Sequence, residues 1–552
     1  MLKIDFITNF KKISWQDVII VICPLLVYAL LTTKLFDWLI DDAGISFVYA
    51  RNLAAGYGLV AQPGLPPVEG YSNPLWIFLM TPFFLIGLFE PFYTSKIISL
   101  ILVAITFWII HKIIQRFTGT KIIPSLIGLM FIATNSSFII WTASGLENPL
   151  FAFLVILLLY SIIDLEPTES ISNYDSLRIG LIVGCIALTR PDGLVYFSVY
   201  PIFLVATFFA LAAYKIRTVL RESMYYTLAF LGTFGSYFIF RVLYFGDIYP
   251  NTYYVKGGAK ITMSVAMSAL TLQQSFLIKL QILLQSLLGQ TLWLLIPFIV
   301  ILWVLVVVIK DKQWLRSVTV LYMCGLSCFT YLILINDWMG EFRLATAFFP
   351  LLFVLLPVAI YQLYELAKLK KIYKLVLIGL SVVLLTAFSI NKHYNRLGKF
   401  ANALPASFSS IGERFGDQFN RYADYLELEN ASLLLPDIGG TLYYSKLRIH
   451  DLAGLCDPAI AKFSKSDLTD FYNYVFEELK PTFIHTHGAY TATFKLPLDK
   501  RFNADYVGIR TYEDKYAEKI LKQIVLSGNF VRKDATLGKE EILRAMQDRS
   551  LP

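Results

Sequence analysis

Two adjacent carboxylates, Asp41 and Asp42, follow directly after the first apolar segment of the chain, in DWLIDDAGISFVYARNL. Charged acids are unfavourable beside lipid, so such a pair at the end of a membrane helix is typical of a water-filled functional cavity. A carboxylate placed there can take a proton from a hydroxyl group, and repulsion between close acids favours proton uptake. The alternative is a helix cap, because acids are favoured where the following helix is predicted to begin.

Three cations lie in other polar clusters between apolar segments: Arg190 in LTRPDG, Lys256 in NTYYVKGG and Arg343 in GEFR. A guanidinium matches phosphate oxygens in a fixed fork, and the glycines after Lys256 let the backbone approach a ligand. We therefore expect these residues to bind a phosphate. The alternatives are contact with lipid headgroups, pairing with the nearby acids Asp192 or Glu341, and a solvated loop for Lys256.

Further polar and aromatic residues accompany these clusters. Glu147 in SGLENPL can assist Asp41, hold a ligand hydroxyl or cap the helix that begins there. Aromatic rings and amides suit a hydroxyl-rich ligand by stacking and hydrogen bonding, although aromatic belts at a membrane surface have the same composition. The candidates for this binding role are Tyr71, Asn73, Trp76, Asp337 and Trp338.

Metal binding is left open by the sequence. Asp41, Asp42 and Glu147 can together hold a divalent cation, but three acids from separate loops do not define a site. His485 and His487, in the triplet His-Thr-His, are a weak metal signal, and ordinary hydrogen-bonded histidines are the favoured interpretation. The five cysteines show neither a disulfide framework nor thiolate metal-site spacing. We therefore predict no required cofactor, with a divalent cation as the open alternative.

The elements that position these residues are predicted to be membrane helices. The chain has 552 residues, of which 57% are hydrophobic and 16% are charged, whereas a soluble domain has roughly 25% charged residues. Its apolar runs approach the ~20 residues that cross a bilayer, which predicts an α-helical polytopic membrane protein with about eleven spans. The run 74–90 contains three prolines and is predicted to be re-entrant or interfacial. The predicted spans are 16–36, 96–115, 122–140, 148–163, 178–190, 193–213, 224–244, 291–309, 317–335, 344–365 and 373–391.

The basic residues between these spans predict the orientation. With a cytoplasmic N-terminus, loops assigned to the inside carry about twice as many Lys and Arg residues as the outside loops. Every polar cluster described above then lies outside the cytoplasm, which argues for one extracytoplasmic site. The same loops account for most of the net charge of +8, so nucleic acid is not an expected partner.

The sequence becomes polar from about residue 395. We predict a membrane domain at 1–394, with its first extracytoplasmic loop at 37–95, and a soluble extracytoplasmic domain at 395–552. In the second domain, ASLLLPDIGGTLYYSKLRIHDLAGL has the order strand, glycine turn, short helix and second strand. This order is typical of a small α/β unit.

The motifs in this order resemble membrane glycosyltransferases of the GT-C class. They are most similar to the terminal β-(1→2) arabinofuranosyltransferases of the mycobacterial cell wall and their bacterial relatives. The composition is richer in Ile, Lys, Phe, Tyr and Asn than is usual for the mycobacterial chains, which leaves the sugar and the acceptor open. The matching segments, within about residues 37–460, are DDAGISFVYARNLAAGYGLV, PVEGYSNPLW, SGLENPLF, LTRPDG, GDIYPNTYYVKGG, DWMGEFRLATAFFP and LPDIGGTLYYSKLRIHDLAGLCDP.

The resemblance implies a transmembrane GT-C bundle in a bacterial inner membrane, with an extracytoplasmic catalytic cavity. It also implies a sugar donor linked to polyprenyl phosphate, an acceptor hydroxyl on a glycan, lipid or protein, and Asp41 as the catalytic base. Two alternatives are a flippase for lipid-linked sugars and a non-catalytic scaffold that binds glycan. A transporter is expected to carry polar groups near mid-membrane in repeated halves, and the sequence shows neither feature.

Overall fold

The computed structural model describes residues 14–119, 122–166, 170–212, 214–255, 269–305, 314–334, 338–366, 389–463 and 467–548. The chain forms two compact units. The first unit comprises Met1–Asp37, Glu90–Phe238 and Met267–Pro405. The second unit comprises Trp38–Phe89, Ile239–Ala266 and Ala406–Pro552. Most of the predicted first loop therefore belongs to the same unit as the polar C-terminal residues.

The first unit is helical because its sequence consists of long apolar runs, and a helix satisfies every interior backbone hydrogen bond within lipid. A further helix, Ser236–Phe245, contains the limit between the two units. The α-helices of the first unit are Trp15–Thr32, Pro91–Thr118, Ile122–Thr134, Ser136–Thr142, Asn148–Ile163, Asn173–Thr189, Val199–Ala210, Ile216–Phe230, Ala269–Leu292, Leu295–Trp303, Trp314–Ile333 and Phe348–Leu366.

Within the described residues, six helical segments are long and apolar enough to cross a membrane, which is the architecture of a multi-pass membrane protein. The helices Ile122–Thr134 and Ser136–Thr142 are bent by 63° and give a seventh span if they are counted as one. The predicted span 373–391 lies mostly outside the described residues. The six segments are Trp15–Leu35, Pro91–Thr118, Pro191–Ala210, Ile216–Phe245, Trp314–Ile333 and Phe348–Leu366.

Three shorter apolar helices accompany them: Pro74–Leu85, Asn148–Ile163 and Phe276–Gly289. A 12-residue helix such as Pro74–Leu85 rises about 18 Å, which is too short for ~30 Å of hydrocarbon. This agrees with the prediction that 74–90 does not span the membrane.

The C-terminal part of the second unit contains a five-stranded mixed sheet in the order β2-β1-β3-β5-β4. Strand β1 pairs in parallel with β2 and β3, and β5 pairs antiparallel with β3 and β4. All four residues of β1 are buried, as expected for a continuous apolar strand in a parallel sheet. The strands are β1 (Ser432–Leu435), β2 (Arg448–Asp451), β3 (Phe483–Thr486), β4 (Tyr506–Glu513) and β5 (Leu526–Arg532).

Short helices surround this sheet, and Phe471, Ile484 and Phe530 belong to its buried apolar core. The predicted order of strand, short helix and strand is confirmed by β1, the helix Gly439–Tyr444 and β2. The α-helices of the second unit are Ala43–Ala54, Pro74–Leu85, Asn251–Val255, Phe408–Ile411, Gln418–Tyr425, Gly439–Tyr444, Pro458–Lys462, Thr469–Asn473, Gly488–Phe494, Lys500–Asp505, Lys515–Leu521 and Glu540–Gln547.

The helix Gly439–Tyr444 is held at both ends by residues of the first loop. The Asp41 carboxylate accepts hydrogen bonds from its first two amides, at 3.1 and 2.7 Å. Arg51 donates to the carbonyl oxygens of Leu442 and Tyr443, at 3.3 and 2.9 Å. A negative charge at the N-terminus and a positive charge at the C-terminus interact favourably with the helix dipole. The same side chains pair terminal N–H and C=O groups that have no partner within so short a helix. We call these contacts the helix clamp.

Hydrogen bonds of Glu69 and of Gln62 also fix the first loop within the second unit. Arg241 donates to the buried Glu69 carboxylate at 3.1 Å, and the Glu69 carbonyl accepts from the Asn251 amide at 3.0 Å. The Gln62 amide side chain both donates to and accepts from the backbone of Ile449 on β2, at 2.7 and 2.9 Å. Since β2 lies at the edge of the sheet, Gln62 takes the place of a neighbouring strand at this position.

The helix clamp requires glycine where the two segments meet. A Cβ atom on Gly439 would lie 1.9 Å from the carbonyl oxygen of Asp41, and one on Gly44 would lie 2.5 Å from the carbonyl carbon of Gly439. The opposing atoms belong to the backbone, so no side-chain rotation relieves either clash. The observed position of the first loop therefore requires glycine at positions 44 and 439.

We predict that Gly439→Ala lowers the melting temperature of the purified full-length protein, measured by intrinsic tryptophan fluorescence. The added methyl group forces the backbones of the helix clamp apart and weakens both hydrogen bonds to Asp41. The control is Gly325→Ala in the helix Trp314–Ile333, where a Cβ atom meets nothing within 4 Å. Replacing this helical glycine by alanine is expected to leave stability unchanged or raise it by about 0.5–1 kcal/mol. Equal melting temperatures for the two variants would contradict the prediction.

Candidate functional site

Asp41 is buried, with 5% of its surface exposed. Burial raises the pKa of Asp41 well above its usual range, and the neighbouring carboxylates of Asp42 and Asp437 act in the same direction. The two amides of the helix clamp act in the opposite direction because they stabilise the ionised form. An acid whose pKa is raised is a stronger proton acceptor once it is ionised, which suits a general base.

Asp42 has different surroundings. It is half-buried and precedes the helix Ala43–Ala54, but its side chain makes no capping hydrogen bond to that helix. Asp41 instead caps the helix Gly439–Tyr444, about 400 residues later in the chain. The structure therefore shows a capping role for one acid of the pair, on a helix that local sequence patterns do not identify.

The same part of the second unit contains Asp437, His485 and His487. One ligating atom of each lies within 4.8 Å of the corresponding atoms of the other two. His487 Nε2 is 2.7 Å from Asp437 Oδ2, and the His487 ring contacts the Tyr490 ring at 5.9 Å between centroids. Burial, reinforced by the nearby His487, lowers the pKa of His485 to about 3, so this imidazole is neutral at physiological pH.

Sequence reasoning considered the two histidines but missed Asp437. The sequence signal that could have identified Asp437 is its place after a strand. Asp437 follows β1, and His487 follows the neighbouring parallel strand β3. The carboxyl ends of adjacent parallel strands meet at one edge of a sheet. A divalent cation is compatible with this cluster.

In the first unit, Glu147 and Arg190 form a buried ion pair. Arg190 donates to Glu147 at 3.1 Å and to Asp192 at 3.0 Å. Its guanidinium also lies 5.4 Å from the centroid of the Phe151 ring. Glu147 occupies the N-cap position of the helix Asn148–Ile163 but makes no side-chain capping bond. The structure thus pairs two predicted site residues, 43 positions apart, and shows the pairing with Asp192 that was the alternative for Arg190.

Arg343 follows a strained turn of the first unit. Gly340, Glu341 and Phe342 have φ values of 67°, 44° and 55°, a left-handed conformation that non-glycine residues rarely adopt. Glu341 does not pair with Arg343 as the sequence alternative suggested. It forms an ion pair with Arg396 at 2.6 Å. Held strain of this kind is concentrated at functional segments, which makes the turn before Arg343 a candidate ligand-contacting element.

The aromatic candidates have contrasting environments. Tyr71 and Trp76 are buried, and Trp76 is completely enclosed, so neither ring offers a stacking face to solvent in this conformation. Asn73 is also buried and exchanges hydrogen bonds with Ser46. Trp338 is 65% exposed. Of the four candidates for sugar or acceptor binding that the structure describes, Trp338 therefore has the accessible surface that stacking requires.

Two predicted site residues, Lys256 and Asp337, lie outside the described residues. The remaining metal hypothesis combined Asp41, Asp42 and Glu147. In the structure Glu147 pairs with Arg190, and Asp41 accepts two backbone hydrogen bonds. Each of these two acids therefore has hydrogen-bond donors of the protein itself as partners.

The comparisons with known proteins concern the fold. Residues 412–533 match a family model described as "Domain of unknown function (DUF8728)". No curated protein sequence matches the chain significantly. The chain is similar to the solved structure of ArnT from Cupriavidus metallidurans in the apo state, with 12% identity and a TM-score of 0.55 over 93% of this chain and 97% of that one.

Two further structures give similar values. ArnT from Cupriavidus metallidurans bound to undecaprenyl phosphate is 12% identical, with a TM-score of 0.52 over 92% of this chain and 97% of that one. The Archaeoglobus fulgidus oligosaccharyltransferase in complex with Zn and sulfate is 12% identical, with a TM-score of 0.52 over 92% of this chain and 73% of that one. Together with the apolar helices and the C-terminal α/β domain, these likenesses show that the chain has the fold of the GT-C glycosyltransferases.

Proposed function

We propose that the chain is an integral membrane glycosyltransferase that moves a sugar from a polyprenyl-phosphate donor to a hydroxyl group of a glycan, lipid or protein outside the cytoplasm. The observation that carries the proposal is the buried Asp41, with its raised pKa, beside Asp42 in a chain of this fold. A solved relative by fold binds undecaprenyl phosphate, which supports a lipid-linked donor. Arabinofuranose is the sugar that the sequence motifs favour.

In the proposed reaction, Asp41 takes the proton of the acceptor hydroxyl. The acceptor oxygen forms a bond to the anomeric carbon while the bond from that carbon to the phosphate oxygen breaks, through an oxocarbenium-like transition state. The electron pair leaves with the polyprenyl phosphate, and attack opposite the phosphate inverts the anomeric centre. The carboxylate of Asp42 raises the proton affinity of Asp41, and Glu147 is a further acid for the acceptor or sugar hydroxyls.

The departing phosphate gains negative charge, which nearby cations stabilise. We assign this role to Arg190, Arg343 and Lys256. Two carboxylates fix the orientation of Arg190, and a preorganised guanidinium does not have to reorganise when charge develops. Trp338, Asp337, Tyr71, Asn73 and Trp76 remain the proposed contacts to sugar and acceptor, with Trp338 favoured by its exposure.

The base is tested by Asp41→Asn in full-length protein reconstituted into lipid nanodiscs with a radiolabelled polyprenyl-phosphate sugar. We expect transfer to fall by at least ~100-fold, since a positioned base contributes about 10²–10⁴-fold. Asparagine keeps the size of the side chain and one of the two acceptor oxygens, and the melting temperature establishes that the variant is folded. The matched control is Asp37→Asn, an exposed acid four residues earlier, with activity unchanged. Full activity in Asp41→Asn together with loss in Asp42→Asn would transfer the base to Asp42.

The phosphate role is tested by the KM for the donor. We expect Arg343→Gln to raise this KM by about 10–100-fold, because a hydrogen bond to a charged group contributes about 1.5–3 kcal/mol. The control is Arg178→Gln, which removes a partly exposed arginine that pairs with Asp175 and lies on the side predicted to be cytoplasmic. An unchanged donor KM in Arg343→Gln would remove this residue from the donor site.

Sidedness is tested by labelling a single introduced cysteine. Tyr57 in the first loop is 58% exposed, so Tyr57→Cys should react with a membrane-impermeant maleimide in intact spheroplasts. Arg217→Cys, in a loop predicted to be cytoplasmic, should react only after permeabilisation. The unmodified chain, with its five cysteines, gives the background. Labelling of Tyr57→Cys only after permeabilisation would rule out a donor on the far side of the membrane.

A further inference from the structure

The cluster of Asp437, His485 and His487 lies where an α/β sheet characteristically binds ligands. From β1 the chain continues to β2 on one side, whereas β3 pairs with the other side of β1. This change of direction makes the carboxyl ends of β1 and β3 a topological switch point, and ligands bind in the crevice outside such ends. Asp437 comes two residues after β1, and His485 and His487 lie at the end of β3.

His485 is oriented as metal-binding histidines are. It stands opposite Asn529 in the register of β3 and β5, and its Nδ1 is 2.6 Å from Asn529 Oδ1. An amide oxygen accepts the Nδ1 proton, which fixes the tautomer and leaves the Nε2 lone pair available. Nε2 is buried and has no hydrogen-bond partner among the described residues. A buried nitrogen without a partner is unfavourable unless a ligand satisfies it.

We propose that Asp437, His485 and His487 bind a divalent transition-metal ion of the zinc class. Two imidazoles and one carboxylate suit zinc and its neighbours, whereas magnesium and calcium prefer oxygen ligands alone. Three protein ligands leave a fourth position for water or substrate, as in catalytic rather than structural zinc sites. The inference rests on these side chains and not on the proposed transfer reaction.

The dimensions fit such an ion after small adjustments. Ligand atoms around tetrahedral zinc are about 3.3 Å apart, given bond lengths of about 2.0–2.1 Å. The present separations include 2.7 Å between His487 Nε2 and Asp437 Oδ2, and none in the cluster exceeds 4.8 Å. His487 can move because its side chain is 35% exposed, which also gives the ion a route from solvent.

The site also adjoins the helix clamp. Asp437 precedes by two residues the glycine whose amide binds Asp41. A bound cation would therefore add positive charge beside the first-loop acids, in the same unit of the fold. Such a charge stabilises ionised carboxylates in its vicinity.

The proposal is tested by metal binding in the absence of any sugar donor. The full-length protein, with its affinity tag removed and its metals extracted by a chelator, is titrated with Co²⁺ and followed by its visible absorption. We expect one Co²⁺ per chain, displaced by Zn²⁺ and not by Mg²⁺. His487→Gln should weaken Co²⁺ binding by at least ~10-fold. The control is His450→Gln, a histidine on β2 of the same sheet that is not part of the cluster, with unchanged affinity.

A second variant tests the assignment of His485 without removing a ligand. Asn529→Ala releases the His485 ring and should weaken Co²⁺ binding about 10-fold, as loss of a supporting hydrogen bond commonly does. Melting temperatures without metal establish that each variant is folded. Absence of Co²⁺ binding in the unmodified protein, or equal affinity in His487→Gln, would overturn the metal site. Unchanged affinity in Asn529→Ala would overturn His485 as a ligand. Since no transfer is measured, these outcomes are independent of the glycosyltransferase proposal.

Discussion

The packing of the second unit depends on one buried carboxylate, which joins the first loop to a helix of the C-terminal part of the chain. Asp41 follows the first apolar helix, yet its oxygens complete the amino end of a helix 398 positions later in the chain. Removing an acid from water is unfavourable unless donors replace the lost hydration, and two backbone amides do so here. Arg51, in the last turn of the helix Ala43–Ala54, binds the opposite end of the same short helix. The loop and the helix therefore hold each other in place.

This arrangement brings several titratable side chains together in the second unit. The acids of the first loop, Asp437 and the paired histidines all belong to the second unit, whereas Glu147, Arg190 and Arg343 belong to the first. In the first unit two carboxylates fix the orientation of Arg190, and Arg343 directly follows a left-handed turn of the backbone. Hydrogen bonds within each unit thus set the orientation of Asp41 and of Arg190, which is the condition for electrostatic preorganisation.

The sequence predicted the features that depend on local pattern. Apolar runs gave the membrane helices, and SLLL followed by glycines gave β1 and the helix after it, because burial and turn chemistry leave a periodic signature. Contacts between distant segments left no such signature. The cap supplied by Asp41, the pairing of Glu147 with Arg190 and the meeting of Asp437 with His485 and His487 each join residues tens or hundreds of positions apart. The burial of Trp76 was also missed. The sequence around an aromatic residue near a membrane surface looks the same whether the ring packs into the protein or faces a ligand.

Gln62 protects the open edge of the sheet at strand β2. Strand β2 ends the sheet on one side, and an open edge of this kind can recruit a strand from another molecule. By imitating a strand's donor and acceptor, the Gln62 side chain occupies backbone groups of Ile449 that a foreign strand would need. One side-chain amide thus disfavours the addition of a foreign strand at this position of the sheet edge.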